Sequence, residues 1–329
     1  MRFALIAVGC MALLHAVHAS AAESRKSDSA ANYPGRPLRV LVGFSPGSTA
    51  DVLPRIVGQH LHEAWGQPVI VENRPSAGGV MAAQTVTSAT PDGHTLISVS
   101  AGHAVSAALY KSLPYNTERD FAGVALLAAV PSILVVSPSA GVKSVKELVA
   151  LARAKPGAFN YSSPGIGSAN HLSGELLKSL AKIDLAHVPF KGIPEALTAA
   201  MTGTVLFNLS PIVNVLPLAK SGKVVALATS TSKRAAAMPE LPTIAEAGVA
   251  GYAFDPWFGL LTTAQTPRAV VHKLNREVVR ILGLPDVKER LLALGAEPNP
   301  MTPEAFDAHV KAEIAKFSKI IREADIKVE

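Results

Sequence analysis

The sequence is poor in cysteine and in aromatic residues, and both shortages exclude classes of function. The one cysteine among 329 residues, Cys10, lies in an apolar N-terminal segment that we expect to be removed. The mature chain would then have no disulfide, thiol nucleophile or thiolate metal site. Aromatic residues make up 5% of the chain and interleave with no basic run, so we expect no nucleic-acid binding despite a net charge of +6. We interpret that charge as a modest bias towards anionic solutes.

Charged residues are also few, and no segment beyond the N-terminus is long and apolar enough to cross a bilayer. The chain is 17% charged and 49% hydrophobic, which is typical of a globular protein with a large core. Residues 1–22 are interpreted as a cleavable signal peptide, with a positive charge at Arg2, an apolar core over residues 3–14 and small residues around Ala19. The apolar core is too short to span a bilayer. We therefore predict export to the periplasm.

Strand-like and helix-like segments alternate along the chain, which predicts an α/β fold with parallel or mixed sheets. Two long apolar stretches, residues 121–136 and 252–263, are the candidates for connections between two domains. We predict a discontinuous first domain, residues 33–128 and 260–329, and an inserted second domain, residues 129–259. Ligand sites commonly lie in the cleft between two such domains.

Two segments repeat one pattern, in which a short strand leads through a turn of small residues into an amphipathic helix. The first is VLVGFSPGSTADVLPR at residues 40–55, and the second is FNYSSPGIGSANHLSGELLKSL at residues 159–180. The N–H groups at such a helix start have no partner and bind anions, including carboxylates. Gly-rich turns also precede helices near residues 75–79 and 100–103. Together they predict an anion-binding crevice at the strand ends.

The residues at the two helix starts allow more than one role. With Asp51 as the N-cap, Pro54 falls in the first turn, where proline is tolerated, so Asp51 either caps the helix or contacts the ligand. Ser168 or Asn170 caps the second helix. Lys191 lies in a loop, where it either meets a carboxylate or is simply exposed.

Catalytic signatures are missing. The sequence has no G-x-S-x-G elbow and no H-E-x-x-H motif, and Ser168 misses the elbow pattern by one position. A secreted serine hydrolase that uses Ser168 and His171 remains the alternative from a different class of protein. It would need an acid to orient His171, and the sequence places none.

Several of these stretches resemble the Bug-type periplasmic solute receptors of the tripartite tricarboxylate transporter family. The resemblance covers essentially the whole mature chain. It rests on Y-P-x-R-P at residues 33–37, F-S-P-G at 44–47 with Asp51 and Arg55, G-Q-P-V-I-V-E-N-R-P at 66–75, A-G-G at 77–79, P-D-G at 91–93, Y-S-S-P-G-I-G-S at 161–168, H-V-P-F-K-G at 187–192 and L-P-T-I-A-E-A-G at 241–248.

The resemblance implies a non-enzymatic receptor with a two-domain Venus-flytrap fold of the type II-like class. It implies a small organic acid held by the two crevice turns and ordered water, and two integral membrane subunits driven by an ion gradient as partners. Ser48, Ser76 and Asn208 depart from the family pattern, which has glycine at the first two positions and often an acidic residue at the third. These departures leave the identity of the acid open.

The motifs and the resemblance together give a set of candidate ligand-binding residues at the crevice. They are Phe44, Ser48, Thr49, Ala50, Asp51, Ser76, His103, Ser163, Gly165, Gly167, Ser168, Asn170, His171, Lys191 and Asn208. We expect no catalytic residue, metal or cofactor, and we expect a monomer. Whether the receptor feeds a transporter or a sensor protein stays open at this point.

Overall fold

The computed structural model describes residues 30–323 and residue 326, so the predicted signal peptide, residues 1–22, lies outside the described residues. The strands of the described part are β1 (Leu38–Val42), β2 (Val69–Asn73), β3 (Thr95–Ser100), β4 (Phe121–Ala129), β5 (Ser132–Val136), β6 (Asn160–Ser163), β7 (Ala186–Pro189), β8 (Phe207–Pro211), β9 (Val225–Thr229), β10 (Trp257–Thr263) and β11 (Glu297–Pro298). Its α-helices are α1 (Thr49–Trp65), α2 (Val80–Thr87), α3 (Gly102–Leu109), α4 (Val145–Ala154), α5 (Ala169–Ala181), α6 (Ile193–Met201), α7 (Ile212–Lys220), α8 (Arg268–Leu282), α9 (Pro285–Ala293) and α10 (Pro303–Glu323). Over this described part of the chain, no helix combines the length and apolarity that a membrane crossing needs.

The strands form two mixed sheets with the same internal order. The first sheet runs β11-β4-β10-β3-β1-β2 and the second runs β7-β6-β8-β5-β9. Apart from β11, the sheets correspond strand by strand. In each sheet four strands run in one direction and one strand, β10 or β5, runs in the opposite direction. The predicted α/β class is therefore confirmed. We call the first sheet with its helices lobe 1 and the second sheet with its helices lobe 2.

The chain crosses between the lobes at two adjacent places. Strand β4 belongs to the first sheet and β5 to the second, with Pro131 in the short link between them. On the way back, the amide of Phe254 still bonds to Ser230 O at the edge of lobe 2 (2.8 Å), and Pro256 O accepts from Val130 N (3.0 Å) before β10 enters lobe 1. The predicted domain limits lie at the end of β4 and inside β10, and they stay a prediction.

Buried apolar residues of both lobes join into common clusters. Leu126 of β4 and Leu134 of β5 belong to one cluster, whereas Leu127 and Ile133 belong to another. Successive side chains of a strand point to opposite faces of a sheet, so each crossing strand supplies both clusters. The crossing strands are thus the buried element that the lobes share.

Helix α1 begins three residues earlier than predicted. Its first residue is Thr49 and its N-cap is Ser48, so the prediction that Asp51 is the N-cap is wrong. Pro54 consequently lies inside the helix, where the carbonyl of Ala50 has no i+4 amide to accept from. Asp51 still serves the helix start, because its Oδ2 accepts a hydrogen bond from Gly47 N (3.0 Å).

Candidate functional site

The two repeated turns occupy equivalent positions in the two lobes. One follows β1 and the other follows β6, which correspond in the two sheets. Each turn ends in a glycine with positive φ and then a buried serine N-cap. These are Gly47 (φ 78°) and Ser48 in lobe 1, and Gly167 (φ 77°) and Ser168 in lobe 2. Glycine adopts this left-handed conformation without the steric cost that a Cβ brings. The sequence repeat is therefore a structural repeat.

Both helix starts leave the same two amide groups without a partner. Among the hydrogen bonds of the described residues, none uses the N–H groups of Thr49 and Ala50 at the start of α1, or those of Ala169 and Asn170 at the start of α5. Unpaired N–H groups at a helix start carry partial positive charge and are natural donors to a carboxylate. The geometry thus supplies two matched anion-binding ends.

The two N-cap serines differ in what their hydroxyls do. Ser168 Oγ accepts a hydrogen bond from His171 N (3.1 Å), so Ser168, rather than the alternative Asn170, caps the helix. Ser48 Oγ is fully buried and has no hydrogen-bond partner among the described residues. A buried hydroxyl without a partner is costly, and a polar ligand would relieve that cost.

Each turn is also held by side chains of the opposite lobe. In lobe 1, Gly47 O accepts from Asn214 Nδ2 (3.1 Å), and Thr49 Oγ1 donates to Asn214 Oδ1 (3.2 Å); Asn214 lies on α7 of lobe 2. In lobe 2, the Ile166 and Gly167 carbonyls accept from Tyr110 OH (3.1 Å) and Ser106 Oγ (3.3 Å), both on lobe 1. The lobes therefore meet at the two turns, in a closed arrangement.

Helix α3 brings a further helix start to this place. A Cβ atom at Gly102, its first residue, would lie only 3.1 Å from the amide nitrogen of Ala169, the first residue of α5. The absence of a side chain lets the positive ends of the two helices approach. Two helix starts with partial positive charge therefore lie side by side at this place.

Asp51 is occupied by donors of its own lobe. Its carboxylate pairs with Arg55 (2.7 Å) and accepts from Gly47 N (3.0 Å) and Asn73 Nδ2 (3.0 Å). Burial alone would raise the pKa of Asp51, but these hydrogen bonds outweigh it and hold the pKa below its usual value. The Asp51 carboxylate therefore shapes the lobe-1 turn through contacts within its own lobe.

The lobe-2 turn is built on a contact that the sequence reasoning missed. Ser163 Oγ lies 2.6 Å from His187 Nε2 and 3.1 Å from both the nitrogen and the oxygen of Gly165. His171 Nδ1 accepts from Gly167 N (3.4 Å), and the rings of His171 and His187 are 4.2 Å apart. A signal was present in the sequence, because His187 opens the H-V-P-F-K-G stretch at residues 187–192. In the structure His187 lies on β7, which pairs with β6.

Two predicted asparagines act inside lobe 2. Asn170 Nδ2 donates to Leu209 O, and the buried Asn208 donates to Ser162 O and Ser162 Oγ (both 3.0 Å) and accepts from Ser210. The Asn208 side chain thus joins β8 to β6. The site can use the main-chain amide of Asn170, while both side chains stabilise the sheet that carries the turn.

Four other predicted residues lie around the turns with varied roles. Phe44 and Ala50 are buried in one of the apolar clusters that both lobes share, and Phe44 O accepts from Asn73 Nδ2 (3.1 Å). Ser76 Oγ accepts from Met81 N (3.1 Å), near the start of α2. Lys191 is exposed, and its carbonyl lies 3.5 Å from Ser45 Oγ across the cleft.

His103 lies in the first turn of α3, and its ring is in the core of lobe 1. Its ring is buried against Tyr115 (5.7 Å between centroids) and Phe121 (4.9 Å), in an aromatic cluster of lobe 1. Burial lowers the pKa of His103 to about 4, so the ring is neutral at physiological pH. A glycine-rich turn does precede His103, but the side chain that follows such a turn can point into the core.

Ser168 and His171 are not arranged as a nucleophile and a base. Ser168 Oγ bonds to the main-chain N–H of His171, and the His171 ring bonds to Gly167 N. A serine hydrolase needs the hydroxyl and the imidazole to bond to each other, with an acid behind the imidazole. The two residues shape the turn and the helix start instead.

Comparison with known proteins agrees with this geometry. The profile of the tripartite tricarboxylate transporter family receptor (TctC) matches residues 53–326. Protein BugT of Bordetella pertussis (strain Tohama I) is 33% identical over 302 residues, which cover 91% of this chain and 93% of BugT.

Two solved structures share both fold and sequence with the chain. R. palustris Rpa4515 with adipate is 35% identical with a TM-score of 0.87, over 90% of this chain and 99% of that one. MatC (Rpa3494) from Rhodopseudomonas palustris with bound malate is 35% identical with a TM-score of 0.84, over 88% of this chain and 100% of that one. The family and these neighbours are solute-binding receptors of periplasmic transporters, not enzymes. The chain therefore belongs to the tripartite tricarboxylate transporter receptor family and is a Bug-type solute receptor with a two-lobed periplasmic-binding-protein fold.

Proposed function

We propose that the protein binds a small dicarboxylate between its lobes and delivers it to the integral membrane subunits of a tripartite transporter. The observation that carries the proposal is the pair of matched helix starts, with free amides at Thr49 and Ala50 on one side and at Ala169 and Asn170 on the other. Two anion-binding ends on opposite lobes suit a ligand with two carboxylates. The relatives with adipate and malate support this ligand class.

The proposed contacts follow from the groups that the fold leaves available. One carboxylate accepts from the Thr49 and Ala50 amides and from Ser48 Oγ, and the other accepts from the Ala169 and Asn170 amides. The partial charges of the helix ends act in a cleft with little water, where electrostatic attraction is stronger than in bulk solvent. Asp51, His103 and Asn208 act in the scaffold.

Binding and closure are coupled in this proposal. A ligand that touches both turns gains its full set of contacts only when the lobes approach, so it shifts the population towards the closed form. We propose that the lobes move relative to each other at the crossings near Pro131 and Pro256. One moving unit is then residues 33–128 together with 260–329, and the other is residues 129–259. The closed form of the monomer is then the shape that the membrane subunits recognise.

Export belongs to the same proposal. Removal of residues 1–22 would release the receptor into the periplasm, where its ligand arrives from outside the cell. Intact-mass measurement of the periplasmic fraction tests this step. Soluble cytosolic protein that retains Met1 would contradict it.

The binding step is tested with the purified mature protein and a set of C4 to C6 dicarboxylic acids that includes malate and adipate. We expect calorimetric binding of at least one acid and no binding of the matching diamides, which keep the shape but lack the charges. Mass spectrometry of acids that copurify with the protein identifies the natural ligand. Binding of the diamides with equal affinity, or turnover of diesters, would contradict the proposal.

Delivery needs a separate measurement in cells. Uptake of the bound acid should disappear when the receptor gene is deleted and return when it is restored. Unchanged uptake in the deletion strain, with a lost transcriptional response to the acid, would favour a receptor that feeds a sensor protein.

A further inference from the structure

Two imidazole rings lie side by side against the lobe-2 turn. His171 is in the first turn of α5, and His187 is on β7, the strand next to β6. Their ring centroids are 4.2 Å apart. His171 is buried, and His187 is also stacked on the ring of Tyr161 (4.9 Å).

The contacts of Ser163 fix the proton position on His187. Ser163 Oγ is within hydrogen-bond distance of Gly165 N, Gly165 O and His187 Nε2. A hydroxyl offers one proton and two lone pairs. All three contacts are satisfied only when His187 carries a proton on Nε2, so that Ser163 accepts from His187 and from Gly165 N and donates to Gly165 O.

The contact of His171 with the turn fixes its proton as well. Its Nδ1 accepts a hydrogen bond from Gly167 N (3.4 Å). A ring nitrogen that accepts carries no proton, so the neutral His171 has its proton on Nε2. If Nδ1 were protonated, its N–H would face the N–H of Gly167, and this hydrogen bond would be lost.

The surroundings favour neutral rings. The charged groups nearby are Glu175 and Lys178 on α5, which pair with each other (2.8 Å), and Glu175 also accepts from Tyr161 OH (2.7 Å). Burial lowers the pKa of His171, with opposing effects of Glu175 and Lys178. Burial, His171 and Lys178 lower the pKa of His187 to about 3. Two charged rings at this distance would also repel each other.

We propose that His171 and His187, both neutral with the proton on Nε2, are positioning residues that orient the peptide groups of Gly165 and Gly167 in the lobe-2 turn. This inference rests on the proposed function, because the oriented turn is the one proposed to hold a ligand carboxylate. The Gly167 N–H donates directly to the ring of His171, and the Gly165 N–H donates to Ser163 Oγ, which the ring of His187 holds in place. That leaves the Ala169 and Asn170 amides as the donors for the ligand. The rings thereby determine which amides the turn presents.

Nitrogen-15 NMR of histidine-labelled protein at neutral pH tests the proton positions without any ligand. We expect both rings as the Nε2–H tautomer, and a through-bond coupling between the Gly167 amide and His171 Nδ1. A proton on Nδ1 of His171, or a charged His187, would overturn the proposal.

Matched substitutions test the positioning role. Gln at position 187 keeps an N–H near the place of Nε2, and Asn at position 171 keeps an acceptor near the place of Nδ1, whereas leucine keeps neither group. With adipate or malate as the probe, we expect His187→Leu and His171→Leu to lose about tenfold in affinity, the size expected for one or two hydrogen bonds. We expect His187→Gln and His171→Asn to stay within about threefold of wild type. Equal binding by the leucine variants would overturn the proposal.

The pH dependence of acid affinity separates a positioning role of the histidines from a general effect on folding. This measurement tests the proposal even if the leucine variants do not fold. Acidification should weaken binding more steeply in wild type than in His171→Asn, since only wild type has the His171 imidazole that must stay neutral. Both proteins keep His187 and share the titration of the ligand. Superimposable profiles would overturn the proposal. If wild type binds neither acid, the proposed function fails for these acids, and the NMR measurement alone decides the role of the histidines.

Discussion

Thr49 and Asn214 meet between the lobes, with Thr49 Oγ1 3.2 Å from Asn214 Oδ1. The same asparagine donates to Gly47 O (3.1 Å), so a single side chain of lobe 2 binds the lobe-1 turn at two points. Its counterparts Ser106 and Tyr110 of lobe 1 bind the lobe-2 turn. These reciprocal contacts exist only while the lobes are together, and they stabilise the closed form without touching the proposed ligand donors.

Asn214→Ala should therefore weaken binding by opening the cleft. The loss of two hydrogen bonds costs about 1–3 kcal/mol in the closed form, which corresponds to roughly a tenfold or greater loss of affinity. Small-angle scattering at equal acid concentrations should show a larger mean radius of gyration for the variant. Thr85→Ala, which removes a hydroxyl that donates to Met81 O within α2, serves as the control. Equal affinity of Asn214→Ala and wild type would contradict this role.

The two N-cap serines should separate binding from stability. Ser48→Ala removes no hydrogen bond of α1, so we expect unchanged thermal stability and about a tenfold loss of acid affinity. Ser168→Ala removes a helix cap and should lower the free energy of unfolding by about 1 kcal/mol. Calorimetry and thermal denaturation of both variants make the comparison. A Ser48→Ala protein destabilised as much as Ser168→Ala, with normal binding, would contradict the assignment.

His103 should make stability depend on pH. Its pKa falls from about 6.5 in the unfolded chain to about 4 in the fold, so the unfolded chain binds more protons between these values. Stability from this residue is complete above about pH 6.5 and is lost as the pH falls towards 4, by about 3 kcal/mol.

Urea denaturation at several pH values measures this effect. His103→Phe keeps an aromatic ring beside Tyr115 and Phe121 and cannot titrate, so its stability should fall less on acidification. His62→Gln, at an exposed position on α1, is the control and should follow wild type. An identical decline in wild type and His103→Phe would show that the buried imidazole does not titrate as proposed.

The sequence predicted the parts of the fold that depend on neighbouring residues. Both small-residue turns, the Ser168 cap and the crossing stretch around Pro131 are local patterns, and the structure contains them. The start of α1 was mispredicted because the rule that proline belongs in a first turn outweighed Ser48, although the helix accommodates Pro54 in its interior. Local rules compete at a helix start, and packing decides between them.

The contacts that join the lobes were beyond reach of such rules. Thr49 and Asn214 are 165 positions apart, and Tyr110 and Ile166 are 56 apart, with no pattern in the sequence that links them. The surroundings of His103 were beyond local rules for the same reason. A local pattern predicts the turn before His103, but the direction of its side chain depends on Tyr115 and Phe121, which the fold packs against its ring.

Gly167→Ala should abolish tight binding of the acid because it prevents the lobes from closing. At its φ of 77° any side chain is strained by about 1–2 kcal/mol, and a Cβ would also lie 2.7 Å from the ring of Tyr110 in the opposite lobe. Gly141→Ala is the matched control, because Gly141 has a φ of 67° but nothing within 4 Å of the added atom. Both variants should lose similar thermal stability, while only Gly167→Ala should lose acid affinity. At an acid concentration that saturates wild type, small-angle scattering should still show an open cleft for Gly167→Ala. If Gly167→Ala closes and binds like Gly141→Ala, then the lobe-2 turn does not contact the ligand, and the contacts between Tyr110 and this turn do not govern closure.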